Sequence, residues 1–277
     1  YLDVEVESDL DANSGSKNDG ILTLKAALKY MLSDELTAFA NIGQGFHSND
    51  ARGATISIDP VSLDATAPAP LLVKSLGYET GLNFTNNKSF NVSAALWYLE
   101  LDSELVYVGD AGFTEASRPS ERYGAELSAY YWFGHHLTAD FEAAYTKARF
   151  SDAVNGEGDY IDGTVPGVVS AGATYYQQSN QQGFSYTLRA RYLSSRTVDS
   201  FDSITPPSTF IVNTQIAYKQ ADWDLSLEIL NTLNSDDHDI DYFYASRLPG
   251  EPEEGIEDLH YHPVEPRSLR LTYRLHY

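Results

Sequence analysis

Apolar and polar side chains alternate along this chain from one end to the other. Leu22, Leu24, Ala26, Leu28 and Tyr30 alternate with Thr23, Lys25, Ala27 and Lys29, and Leu76, Tyr78, Thr80, Leu82 and Phe84 alternate with Gly77, Glu79, Gly81 and Asn83. Tyr123, Ala125, Leu127, Ala129, Tyr131 and Phe133 oppose Gly124, Glu126, Ser128, Tyr130 and Trp132. Phe184, Tyr186, Leu188, Ala190 and Tyr192 oppose Ser185, Thr187, Arg189 and Arg191, and the chain ends with Leu269, Leu271, Tyr273, Leu275 and Tyr277 against Ser268, Arg270, Thr272, Arg274 and His276. Successive side chains of a strand point to opposite faces, so a period of two predicts strands with one apolar face. With weaker repeats included, the pattern predicts twelve strands: 1–8, 21–31, 35–45, 75–85, 89–100, 122–133, 137–148, 167–176, 183–193, 209–218, 222–231 and 267–277. Nearly all are about ten residues long, the length a tilted strand needs to cross a hydrocarbon core. Strands of soluble domains average about 5 to 6 residues.

The connections fall into two kinds. Met31–Asp34, Asn86–Lys88, Gly134–His136, Gln177–Gln182 and Lys219–Ala221 are short polar turns, and between them lie long acidic stretches at 9–20, 46–74, 101–121, 149–166, 194–208 and 232–266. Short turns on one side and long loops on the other are the sequence form of an outer-membrane barrel whose long loops face outward. Tyr30, Phe84, Tyr98, Tyr131, Phe133, Tyr145, Tyr175, Tyr192, Tyr218 and Trp223 stand at strand ends, where interfacial aromatic girdles belong. A large soluble all-β protein with aromatic edges packed on one another is the other arrangement that the alternation allows.

Composition narrows the field. The chain has 18 Lys and Arg against 40 Asp and Glu, a formal charge of −22, and so lacks the basic face that phosphate neutralisation requires. No nucleic-acid partner is expected. Hydrophobic content of 42% with 13% aromatic residues is too rich for a disordered acidic tail. Without cysteine there is no disulfide, thiolate zinc site or cysteine nucleophile. The longest purely apolar run, Ala94–Leu99, falls far short of the roughly 20 residues of a membrane helix. The opening Tyr1-Leu2-Asp3-Val4 shows neither an initiator nor a signal-peptide pattern, which leads us to expect a piece of a longer protein.

Four stretches stand out: Gly43-Gln44-Gly45-Phe46 leading into a long loop, Gly77-Tyr78-Glu79-Thr80-Gly81-Leu82, Arg122-Tyr123-Gly124-Ala125-Glu126-Leu127, and the ending from Glu265-Pro266-Arg267-Ser268 to Tyr277. With their order and spacing they resemble the carboxy-terminal part of the β-barrel of TonB-dependent outer-membrane receptors. The final alternation closing on an aromatic residue resembles the signal that such barrels present to their assembly machinery. The family's Asn-Leu-Phe near the last loop stands here as Asn231-Thr232-Leu233, a departure. The resemblance implies an all-β transmembrane antiparallel barrel in the bacterial outer membrane. About twelve strands of a barrel of about 22 would be present, with the plug absent, and residues 1–277 would form one incomplete domain. It further implies an active transporter, not an enzyme, that binds and imports a scarce ligand such as a ferric siderophore, cobalamin, another metal chelate or a glycan. Its partners would be outer-membrane lipid and lipopolysaccharide, a small-molecule chelate, and a TonB-type energising protein acting through the missing plug. No cofactor is expected. Two other readings stay open, a complete twelve-stranded barrel serving as a channel or rim hydrolase, and a soluble all-β binding module.

Several constellations bear side chains suited to chemistry. The stretch from Asp236 to Asp258 holds nine acids, which form a solvated loop or attract a cation. His260 and His262 face one way in an extended segment, and Asp258 or His238 would be needed to complete a metal site. Asp9-x-Asp11-x-Asn13 begins like a calcium loop but has Ser14 and Gly20 where Gly and Glu belong, and is read as a turn. The glycosylation sequons at Asn83 and Asn91 lie inside predicted strands. Gly167–Gly172 around Ser170 is one residue too long for a serine elbow. Arg189 and Arg191 are expected to pair with inward acids such as Glu126, Asp140 or Glu142. If the receptor reading holds, ligand contacts come from the long loops. His47, Asn49 and Arg52 in one loop, and Tyr242, Tyr244 and Arg247 in another, offer donors and aromatic faces suited to an anionic or catecholate-like chelate.

Overall fold

The computed structural model describes residues 1–60, 63–86, 89–108, 113–178 and 180–276. The expected closing aromatic Tyr277, the end of the Asn86–Lys88 turn and Ser179 lie outside the described residues. The strands are β1 (Leu2–Val6), β2 (Gly15–Asp19), β3 (Lys25–Met31), β4 (Leu36–Ser48), β5 (Leu72–Asn86), β6 (Phe90–Leu101), β7 (Leu105–Val108), β8 (Phe113–Ala116) and β9 (Ser120–Phe133). They continue with β10 (Leu137–Phe150), β11 (Gly167–Tyr176), β12 (Gly183–Leu193), β13 (Thr209–Lys219), β14 (Trp223–Leu230), β15 (His238–Ser246), β16 (Ile256–Pro263) and β17 (Ser268–Leu275), and one short helix, α1 (Ala51–Thr55), follows β4.

Eleven strands form one antiparallel sheet in the order β17-β14-β13-β12-β11-β10-β9-β6-β5-β4-β3, so the sheet does not close on itself. This departs from the twelve-strand expectation at one place. Residues 2–6 pair with β2 in a separate two-stranded sheet instead of joining the wall. The long stretches carry two further hairpins, β7–β8 and β15–β16. A closed twelve-stranded barrel is thus not what this chain forms.

The alternation becomes two continuous faces. Across one face run rows such as Leu82–Ala94–Leu127–Ala143–Val169–Tyr192–Phe210. Its large side chains are open, Leu96 at 61% and Leu188 at 53%, which suits a surface solvated by hydrocarbon and not by water. The opposite face carries Glu79, Glu126, Glu142, Asp140, Arg189 and Glu228, and its residues from β4 to β11 line a trough of about 440 Å³. That polar, concave side is the barrel interior.

Rings mark both limits of the apolar band. Next to the short turns, Phe90 packs on Tyr131 at 5.5 Å and Tyr131 on Phe133 at 3.9 Å between centroids, and a second chain runs Tyr175–Tyr186–Phe184–Tyr218–Trp223–Tyr273. At the other limit Tyr78 meets Tyr98 at 6.3 Å. Phe90 and Tyr98 stand eight residues apart on β6, roughly 26 Å along a strand and roughly 20 Å along the normal once tilted as barrel strands are.

Two glycines of the interior face are required by their neighbours. A Cβ on Gly124 would lie 2.3 Å from the Tyr145 carbonyl oxygen and 2.8 Å from the Trp97 ring, and one on Gly81 would lie 2.3 Å from the Ala94 carbonyl oxygen and 2.5 Å from the Phe39 ring. Phe39 pairs with Gly81, and Trp97 with Gly124, so each ring lies over a glycine of the adjoining strand. Gly124→Val should cost about 1–3 kcal/mol through forced shifts of Trp97 and β10. Denaturant titration of the folded barrel checks this, and a loss below about 0.5 kcal/mol would remove the packing argument.

Candidate functional site

The long-loop end is held together by buried polar clusters. Arg196 donates to the Asp239 carbonyl at 3.0 Å and pairs through Nε with Asp241 at 3.1 Å, the two side chains being 6% and 0% exposed. His238 Nδ1 lies 2.5 Å from the other Asp241 oxygen, and its ring stacks on Tyr261 at 3.7 Å. Glu104, also buried, accepts from Ser120 and from Arg122 at 2.7 Å. Arg118 binds Asp152 and the Gly158 carbonyl, both at 2.7 Å, and lies over the Phe150 ring.

Asn231, just after β14, pins the last long stretch. Its backbone takes a positive φ of 47°, which Asn tolerates better than most residues. Its side-chain amide donates to the Ser235 and Glu265 carbonyls at 3.0 Å, and its Oδ1 accepts from Ser235 N–H at 2.9 Å. This gives the asparagine of Asn231-Thr232-Leu233 a structural role, whatever follows it.

Asp162 and Asp199, outside the membrane-spanning strands, are displaced from the ordinary carboxylate range in opposite directions. Burial, aided by the nearby Asp199 charge, holds Asp162 above it. For Asp199, burial alone would act upward, but N–H donors of Ser203, Ile204 and Phe201 and the Ser203 hydroxyl outweigh it and hold the group below. A depressed folded-state value contributes stability above the unfolded-state value, and that stability is lost as pH falls through the folded one. Amide exchange of residues 199–204 should therefore accelerate only below the ordinary carboxylate range. Asp199→Ala should abolish the protection at neutral pH, and unchanged exchange in that variant would contradict the assignment.

The six ligand candidates sit at two separate places on the rim. His47 is the next-to-last residue of β4, with Nε2 buried and without a hydrogen bond. Asn49 is 6% exposed and donates to the Pro70 carbonyl at 2.5 Å, closing its loop. Arg52, in α1, lies 2.7 Å from Asp50, whose carboxyl it draws below the usual range. Tyr242 and Tyr244 are exposed on β15, Tyr244 stacks on His260 at 4.1 Å, and Arg247 reaches the Glu251 carbonyl at 3.3 Å. Seven strands separate β4 from β14, so the two groups belong to different sectors of the rim.

Other expectations resolve as follows. Arg189 pairs with Asp140 at 2.9 Å, as expected, while Glu142 accepts from Tyr130. Of the nine acids of 236–258, Asp239, Asp241, Glu257 and Asp258 lie on the strands of the β15–β16 hairpin, while Asp236, Asp237, Glu251, Glu253 and Glu254 lie in the stretches that lead into it and turn it. His260 and His262 lie on β16, and no group of three or more His, Cys, Asp or Glu placed to hold a metal ion is found among the described residues. Asn13 is consumed by Ile58 and Ser57, consistent with a turn, and Asn83 and Asn91 lie within β5 and β6. Nothing in the sequence joins the Arg196–Asp241–His238 cluster, because 44 residues lie between Arg196 and Asp241.

Apolar outer face, polar interior, aromatic limits and loops gathered at one end define a section of transmembrane barrel wall. The family described as TonB dependent receptor-like, beta-barrel, matches residues 3–231, and the chain belongs to it. Among solved structures, the ferric-catecholate import receptor Fiu of E. coli K12 in its closed form is similar at TM-score 0.69 and 16% identity, covering 95% of this chain and 36% of that one. The ferric yersiniabactin uptake receptor FyuA of Yersinia pestis is similar at TM-score 0.69 and 13% identity, covering 94% and 38%. The FrpB iron transporter of Neisseria meningitidis, F5-1 variant apoprotein, is similar at TM-score 0.67 and 16% identity, covering 94% and 40%. This chain thus spans well under half the length of these structures. Comparison with curated proteins finds no match.

Proposed function

We propose that this chain is the carboxy-terminal portion of the barrel of a TonB-dependent transporter in the bacterial outer membrane, a transporter and not an enzyme. The parent protein would capture a scarce ligand, a ferric siderophore or other metal chelate, on the long-loop side and import it when a TonB-type protein acts on a plug. The observation that carries this reading is the eleven-stranded sheet with one hydrocarbon face and one charged concave face, in a chain of the receptor family. Import receptors of similar wall, for iron chelates in two of the comparisons, support the ligand class. Glu79, Glu126 and Glu142 on the concave trough suit a plug with a cationic surface. Tyr242 and Tyr244 would present contact faces and Arg52 and Arg247 would flank the entrance, with His47 and Asn49 fixing the base of their loop. Lipid and lipopolysaccharide would surround the apolar band.

The full-length receptor, expressed in cells stripped of other iron-chelate receptors, should restore growth on ferric chelates only while the energising protein is active. Growth restored equally without that protein would indicate passive diffusion and overturn the proposal.

A further inference from the structure

Charge in this chain is sorted by position in the fold. The segments at the long-loop end, 1–24, 46–74, 102–121, 149–166, 194–208 and 232–267, hold 30 acidic and 8 basic residues, the entire net charge of −22, while strands and short turns hold 10 of each. Most cations at that end are already engaged. Arg52, Arg118, Arg149 and Arg196 pair with Asp50, Asp152, Asp159 and Asp241, Lys17 binds the Ala54 and Ala69 carbonyls, and Arg247 binds the Glu251 carbonyl. An approaching anion meets like charge and few available counter-charges, whereas a cation is drawn in by the summed field.

Within that field lies a cavity of about 200 Å³ between β15 and the segments 162–163 and 196–198, lined by Asp162, Gly163, Val198, Tyr242, Phe243 and Tyr244. The Arg196–Asp241 pair closes one side and is internally neutralised. Asp162 has no ion pair or hydrogen bond to another described side chain, and Tyr242 and Tyr244, which line the same cavity, are about half exposed. A carboxylate without a partner next to aromatic rings is a receptor for a protonated nitrogen, since ring faces attract cations and the carboxylate supplies the counter-charge.

We propose that the outer face of this protein recognises a ligand through a cationic group, an amine or guanidinium, seated between Asp162 and the Tyr242 and Tyr244 side chains. The inference rests on the receptor reading above and narrows it. Among metal chelates, those bearing a protonated nitrogen are taken and polyanionic ones are disfavoured. This reverses the charge expected from His47, Arg52 and Arg247 in the sequence.

Purified full-length receptor would be titrated with three iron-loaded probes: a linear ferric trihydroxamate with a terminal ammonium, the same chelate N-acetylated, and a ferric tris-catecholate trianion. The ammonium chelate should bind about tenfold more tightly than its acetylated form at low salt, with the advantage shrinking as salt screens the field. Asp162→Asn should abolish that advantage, while Asp202→Asn, outside the cavity, should keep it. Equal affinity for the ammonium and acetylated chelates, or an advantage that survives Asp162→Asn, would overturn the proposal. Tighter binding of the trianion would overturn it while leaving the receptor reading intact. Binding of none of the three would overturn both.

Discussion

Arginine in place of Leu188 should destabilise the assembled barrel by about 2–4 kcal/mol, the cost of a cation near the bilayer midplane on a lipid face. Leu188 sits in the middle of β12, between the aromatic limit at Phe184 and Tyr186 and that at Tyr192, with Ala173 and Thr214 beside it on the same face. Among the described residues the outward row through Leu188 is Ala139, Ala173, Thr214 and Ile229, with no acid to pair with a guanidinium, so the charge would have to reach a headgroup or draw water into the hydrocarbon. The neighbouring position gives the control. Thr187 faces the interior, where its hydroxyl meets that of Thr174 at 2.9 Å and where Arg189 and Asp140 already form a charged pair. Thr187→Arg should cost less than about 1 kcal/mol. Urea unfolding of the receptor in phospholipid vesicles measures both variants. Similar losses for the two would mean that β12 does not divide lipid from interior.

Arg196→Met should loosen the rim by about 3–5 kcal/mol, because it leaves the fully enclosed Asp241 carboxylate without its guanidinium partner. His238 remains as a neighbour of that carboxylate at 2.5 Å. Arg196→Met combined with Asp241→Leu should recover most of the loss, since a well-packed apolar pair often replaces a buried ion pair at little cost. The effect is local, so it is read from hydrogen exchange of 194–208 and 238–246, two segments that the pair joins. Protection that survives in the single variant would show that the pair does not hold β15 to the wall.

The wall of this protein was legible in its sequence because lipid and interior impose opposite requirements on alternate residues, as at Leu188 and Arg189. The short turns were legible for the same reason, since apolar alternation stops abruptly at Gly134–His136 and Lys219–Ala221. Residues 2–6 are the exception, a strand that stands outside the wall. Leu2, Val4 and Val6 alternate as any half-covered strand does, and nothing in a period of two says which sheet a strand joins. The rim was less legible still. Tyr242 and Tyr244 were recognised as candidate contacts, but their relation to Asp162, about eighty residues earlier, depends on loops meeting above the barrel. In the sequence Arg52 and Arg247 stand as available cations, and only the fold shows that each already has a partner.

The central claim is that this sheet is barrel wall with lipid on one side. Nitroxide labels placed singly from Phe184 to Tyr192, in receptor reconstituted into bilayers, test it most directly. Oxygen, which concentrates in lipid, should relax the labels at 184, 186, 188, 190 and 192 strongly and those at 185, 187, 189 and 191 weakly, with a polar relaxant showing the reverse. A profile without that alternation, or one in which the polar reagent reaches both sets equally, would contradict the membrane wall.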